Sequence, residues 1–129
     1  MEKKWALVLG ASSGFGGASA LALAKNGYNI IGVHLDRLAT MPTVQALVKK
    51  IEKLGQKALF YNINAADQLR RNDVLDELTE MFAGKEQGKV NVLIHSLAFG
   101  SLRPYVAKNP NDCVSQAQMV MTLDVMAHS

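Results

Sequence analysis

The sequence predicts an α/β fold in which a parallel sheet carries helices on both faces, and three observations lead there. Four short runs are apolar along their whole length, as strands covered on both sides are. Segments with apolar residues at helical spacing alternate with them, a pattern that calls for parallel strands joined by crossover helices. A glycine-rich stretch sits at the first join, between the first strand and the first helix.

Trp5 to Leu9 (WALVL) is the first strand, ending at Gly10. Ser13 to Asn26 is rich in Ala and Leu and reads as a helix, with Gly27 as its stop. Tyr28 to Leu35 is the second strand. Pro42 suits a first helical turn, and Val44, Leu47, Val48, Ile51 and Leu54 give the second helix its apolar face before Gly55. Ala58 to Ile63 follows as a strand, and Asp67 to Phe82 as a helix with Leu75, Leu78, Met81 and Phe82 facing the core. Val90 to Ser96 is the fourth strand. After a loop holding Gly100, Pro104 and Pro110, Ser115 and Gln118 form a capping box that opens a final helix running to Ser129.

A chain of 129 residues, 49% hydrophobic and 19% charged, suits one globular domain. The net charge of +3 is small and its Lys and Arg residues are scattered, which argues against nucleic acid as a partner. Cys113 stands alone, so no disulfide forms within the chain. No apolar run reaches the length of a membrane span and the first residues lack the apolar core of a signal peptide. The expectation is a soluble, cytoplasmic protein.

Gly10-Ala11-Ser12-Ser13-Gly14-Phe15-Gly16 lies where a parallel sheet presents its carboxyl edge. Gly10 permits a tight turn, Gly14 lets backbone approach a pyrophosphate, and Gly16 or Gly17 lets the helix pack closely on the sheet. The helix start offers unpaired N–H groups and a favourable dipole to phosphate. The same residues fit a G-x-S-x-G nucleophile elbow with Ser12 as nucleophile, but that elbow follows a strand in the middle of a sheet built from preceding sequence and needs a later acid and His, whereas this turn follows the first strand.

The spacing Gly10, Gly14, Gly16 after an amino-terminal strand resembles the short-chain dehydrogenase/reductase family over the whole chain. Asn62-Ile63 stands where that family usually has Asp-Val at the adenine. His95-Ser96-Leu97-Ala98 stands where most members have Asn-Asn-Ala-Gly, and its form, with Asp124 in Thr122-Leu123-Asp124-Val125, resembles the enoyl-acyl-carrier-protein reductase branch. The glycine turn has the ordinary family form. The resemblance implies a Rossmann-type three-layer sandwich with strand order 3-2-1-4, left incomplete because the remaining strands of a dinucleotide fold are not in the sequence, so that the fourth strand, apolar in Val92, Leu93 and Ile94, is expected as an uncovered edge.

It also implies a nicotinamide dinucleotide. The glycine turn, including Ser12, Ser13 and Phe15, would hold the pyrophosphate, while Ser96, Leu97 and Ala98 would line the nicotinamide ribose. The family's acidic position at the end of the second strand falls on His34, followed by Asp36 and Arg37. Arg37 can fork to a 2′-phosphate and His34 can donate or stack, whereas Asp36 would repel it; the balance leans to NADP over NAD. Plain alternatives stand beside these: a solvated His34, an Asp36-Arg37 surface pair, and an Asn62 that holds a turn. His95 is expected as a hydrogen-bonded group at the end of a buried strand, and the three histidines are too dispersed for a metal site.

The family's Tyr-x-x-x-Lys pair is missing: Gly32, Ala65 and Asn109 stand four residues after Tyr28, Tyr61 and Tyr105. Of the catalytic set only the position held by Asp124 is represented. The resemblance therefore implies the cofactor-binding, amino-terminal part of an oxidoreductase acting on a carbonyl, hydroxyl or enoyl group, inactive alone and part of a homo-oligomer when whole. A non-enzymatic NAD(P)-binding module or sensor is the alternative.

Overall fold

A computed structural model describes residues 2–84 and 86–129, and the chain divides into two compact units, residues 1–96 and 97–129. The first unit alternates β1 (Lys3–Leu9), α1 (Gly14–Lys25), β2 (Asn29–His34), α2 (Met41–Lys53), β3 (Ala58–Asn62), α3 (Gln68–Ala83) and β4 (Gly88–His95). All pairings are parallel and the order is β3-β2-β1-β4, the order expected from the sequence. Among the described residues, no helix is long and apolar enough to cross a membrane.

The strands separate two cores. On one face Ala6, Val8 and Ile30 pack against Ala20 and Ala24 of α1 and Ile51 of α2. On the other, Trp5 and Ile31 pack against Val74 and Leu78 of α3, with the Trp5 ring edge-on to Phe82 at 5.7 Å between centroids. The sheet is thus the middle of three layers. Trp5, Ile30, Ile31, Ile51 and Val8 are the largest fully buried side chains, each contributing about 1.5–3 kcal/mol by leaving water. α1 reaches the sheet through small residues: Gly16, Gly17, Ala20 and Ala24 form its buried stripe.

Three sequence expectations change at the edges. Leu75 is half exposed, and the inward face of α3 is instead Val74, Leu78, Met81 and Phe82, a cleaner helical repeat. Leu54 lies at the C-cap of α2 and is 41% exposed. β4 is the sheet's outer strand, the uncovered edge that the order 3-2-1-4 implies, with Leu93 65% exposed, whereas His95, expected at the end of a buried strand, is exposed. Its pairing with β1 slips by one residue between Trp5 and Ala6, where the Asn91 side chain accepts the Trp5 N–H at 3.3 Å.

The second unit holds a 3₁₀ turn at Pro110–Asp112, then α4 (Gln116–Leu123) and a wider π turn over Asp124–His128. The Ser115–Gln118 capping box forms in both directions, as expected. The final helix differs: α-helical bonding stops at Leu123 rather than running to Ser129. Within this unit Thr122 Oγ1 accepts the Ser101 N–H at 3.2 Å, which ties the loop to α4.

Two outcomes are expected. A Cβ on Gly32 would stand 2.7 Å from the Phe60 ring, so Gly32→Ala should cost about 1–3 kcal/mol in denaturant unfolding, and Phe60→Leu in the same chain should recover part of it. Tyr61 is partly buried and donates to Glu77 at 2.9 Å; burial first, and then the Glu77 carboxylate, push its phenol up to about 12. Because the folded value lies above the unfolded one, this contribution to stability is intact below pH 10 and lost as pH rises toward 12. In a spectrophotometric titration Tyr61→Phe should remove the phenolate step near pH 12.

Candidate functional site

The carboxyl ends of the four strands lie along one edge of the sheet, and the loops leaving them are hydrogen-bonded in series. Gly10 and Ala11 both donate to the Val33 carbonyl, at 2.8 and 3.0 Å, which pins the start of the glycine turn to the end of β2. Ser96 donates to the Leu9 carbonyl at 2.9 Å, and Ile63 to the His34 carbonyl at 2.8 Å. The exits of β4, β1, β2 and β3 are therefore fixed relative to one another before any side chain is considered.

Within the turn the glycines have different tasks. Gly10 turns at φ 81°. Gly16 is buried so tightly that a Cβ would fall 1.8 Å from the Gly10 carbonyl oxygen. Gly14, at φ 56°, has nothing within 4 Å of where a Cβ would stand. The first glycine bends the chain, the last lets α1 close upon it, and the middle one faces open space. No side chain caps α1, unlike α3, where Asp67 accepts from Leu69 and Arg70. Its first-turn N–H groups and dipole are left to an anion. Ser13 is the extended N-cap residue, and Phe15, 87% exposed, flanks it on the first turn.

Beside the turn stands an acid. Asp36 takes Thr40 Oγ1 on one carboxylate oxygen at 2.8 Å and faces His34 Nδ1 with the other at 3.0 Å. Burial pulls its pKa upward, but the contacts with Ser12, Thr40 and His34 outweigh it and hold the carboxyl below its usual value. The Asp36 backbone is gripped from β3: Asn62 Oδ1 accepts its N–H at 2.9 Å and Asn62 Nδ2 donates to its carbonyl at 3.0 Å.

This network changes the reading of several residues. His34, expected with a donor or stacking face at the strand end, is only 3% exposed, with its ring 6.0 Å from that of Phe60. The partner of Asp36 is His34, not Arg37; Arg37 is exposed and makes no ion pair among the described residues. Asn62 holds a turn, as one alternative had it, though that turn is the β2–α2 loop and not its own. Ile63 is half-buried in the α3 core. Ser96 closes the first unit, while Leu97, Ala98 and Asp124 belong to the second, where Asp124 lies 3.0 Å from His128 Nδ1.

Thr40 was not foreseen as a site residue, although Asp36 and Thr40 stand four apart just before a helix with Pro at its start, a spacing that brings short polar side chains together. At the opposite, amino edge of the sheet a hollow of about 590 Å³ is lined by residues including Lys3, Lys4, Asn29 and Lys57. Its lysines are surface groups, and Lys3 and Lys57 are both already paired with Glu86. The carboxyl edge, with its uncapped helix and open glycine, is the better candidate for a ligand.

Comparison with known proteins identifies the family. The profile of the short chain dehydrogenase family matches residues 4–127. L-rhamnose 1-dehydrogenase (NAD(P)(+)) of Sphingomonas is 34% identical over 96 residues, 73% of this chain and 34% of that one. The 3-oxoacyl-[acyl-carrier-protein] reductase of Thermotoga maritima is 27% identical over 96 residues, 74% of this chain and 35% of its own length. Among solved structures, a short chain dehydrogenase from Burkholderia cenocepacia in complex with NADP superposes with a TM-score of 0.70 at 26% identity, covering 98% of this chain and 46% of that one. The chain spans about a third of the length of the curated relatives it matches. A match running from the first strand into the last helical turn, on a sheet of the same topology, places the chain in the short chain dehydrogenase family.

Proposed function

We propose that these residues are the dinucleotide-binding part of an NAD(P)-dependent oxidoreductase, one that moves hydride between a nicotinamide and a carbonyl, hydroxyl or enoyl group. The observation that carries this reading is the turn in which α1 closes onto Gly10 through Gly16 while Gly14 faces open space. A pyrophosphate fits such a place: the backbone can approach it without a side chain intervening, and the uncapped α1 meets its charge.

In this reading Gly10, Gly14 and the first turn of α1 hold the pyrophosphate. Ser96, hydrogen-bonded to Leu9, stands at the exit of β4, toward the nicotinamide half of the crevice. The nicotinamide, when bound, supplies the hydride acceptor or donor. The chain's own part is to bind and orient that ring. Turnover is not expected of these residues alone, because no tyrosine is followed four residues later by lysine.

Calorimetric titration of the chain with ADP-ribose tests the proposal. Binding is expected in the native chain, and its absence would overturn the reading. Gly14→Val should lose about 1–2 kcal/mol of stability from its left-handed backbone, keep the fold and lose most ADP-ribose affinity. Gly16→Ala should instead unfold or displace α1, seen by circular dichroism, since its Cβ meets backbone. Undiminished ADP-ribose affinity in Gly14→Val would also tell against the site.

A further inference from the structure

We infer that the Glu86 carboxylate is a latch across the amino edge of the sheet, coupling the entry of β4 to the entry of β3 although two strands lie between them. The inference stands apart from the dinucleotide reading, which concerns the opposite edge.

The bonds define the latch. Glu86 lies just before β4, and one of its oxygens accepts from Lys3 Nζ at 2.7 Å while the other accepts from Lys57 Nζ. Lys3 opens β1, and Lys57 is the residue before β3. In the order β3-β2-β1-β4 the backbone ladder joins β3 only to β2 and β4 only to β1. The two outer strands are separated by three interstrand spacings, about 14 Å. One carboxylate closes that span. Its bond to Lys3 repeats a connection that β1 and β4 already have through their ladder and through the Glu2–Lys89 pair at 3.5 Å. Its bond to Lys57 joins two strands that share no ladder.

Both ends of the latch are seated on backbone. The Lys57 N–H donates to Asn29 Oδ1 at 2.8 Å and the Lys57 carbonyl accepts from Ile30 at 2.8 Å, at the buried start of β2. On the other side the Gln87 carbonyl accepts the Lys3 N–H at 3.4 Å. Gly88 then runs so close to β1 that a Cβ there would stand 2.7 Å from the Lys3 carbonyl oxygen.

Charge keeps the latch closed. The bonds from Lys3 and then Lys57 outweigh desolvation and hold the Glu86 carboxyl below its usual value, so it stays ionised at neutral pH. The two lysine side chains are about half exposed and the carboxylate is less so, which leaves each pair open to screening by salt. Strength comes from one anion shared by two cations, a small network in place of an isolated surface pair.

Native-state hydrogen exchange on the whole chain tests the coupling, because it reports opening strand by strand. Lys57→Met, a change at the entrance of β3, should speed exchange of the β4 amides bonded to β1 by about threefold at low salt and leave the amides linking β1 to β2 unchanged. Glu86→Gln should do at least as much, and Lys57→Met placed on top of it should add nothing. Lys53→Met, which removes an exposed lysine in the last turn of α2 with no ion pair among the described residues, should leave β4 as it is. At about 0.5 M salt the native chain should approach the behaviour of Lys57→Met. Exchange in β4 unmoved by Lys57→Met, additive effects of Lys57→Met and Glu86→Gln, or an acceleration spread evenly over the sheet would each overturn the inference.

Discussion

The carboxyl edge of the sheet depends on how near α1 can come to the turn that precedes it. With Gly16 where a Cβ would overlap the Gly10 carbonyl, the helix starts directly on top of the end of β1. Gly17, Ala20 and Ala24 continue the small-residue stripe, so the helix stays close to Ala6 and Val8 along its length. Any side chain at Gly16 would lift that end, part the turn from the Val33 carbonyl that anchors it, and disturb the loop exits hydrogen-bonded around it. Packing at one backbone contact thus sets the geometry of an edge assembled from four strands.

Much of this was written plainly in the chain. Continuous apolar runs mark buried strands because both faces of a parallel sheet are covered, and β1 and β2 fit that description; β2 is buried at every residue. Glycine spacing exposes the turn because backbone closeness has few other solutions. What stayed hidden was the arrangement of short polar side chains across separate loops. Asp36, Thr40 and Asn62 come together only once β3 has paired beside β2, so no local spacing reveals that Asn62 grips the Asp36 backbone. The burial of His34 was hidden for a similar reason, since it follows from Phe60 crossing over Gly32 from the neighbouring strand.

β4 is the uncovered edge that the order 3-2-1-4 implies, because apolar composition says that a strand can be buried without saying what will cover it. Val92 and Ile94 join the core beneath α1, while Leu93, on the opposite face, has no such cover. The same strand carries the register slip at Trp5. There the sheet gives up a regular rung, and the Asn91 amide stands in for the missing backbone acceptor.

The central position of β1 also bears on the order in which the sheet assembles. Trp5 is paired on one side with Asn29 and on the other with Val90, more than three times as far along the chain. Closing the longer loop costs about 1 kcal/mol more in chain entropy, since each doubling of length adds about 0.6 kcal/mol. β1 and β2 can therefore find each other early, with the glycine turn formed between them. On the same cost β4 is expected to pair after β2, against a strand whose register is already set, and it is in the β1–β4 pairing that the slip at Trp5 falls. The glycine turn is in this sense the oldest part of the fold each time the chain folds.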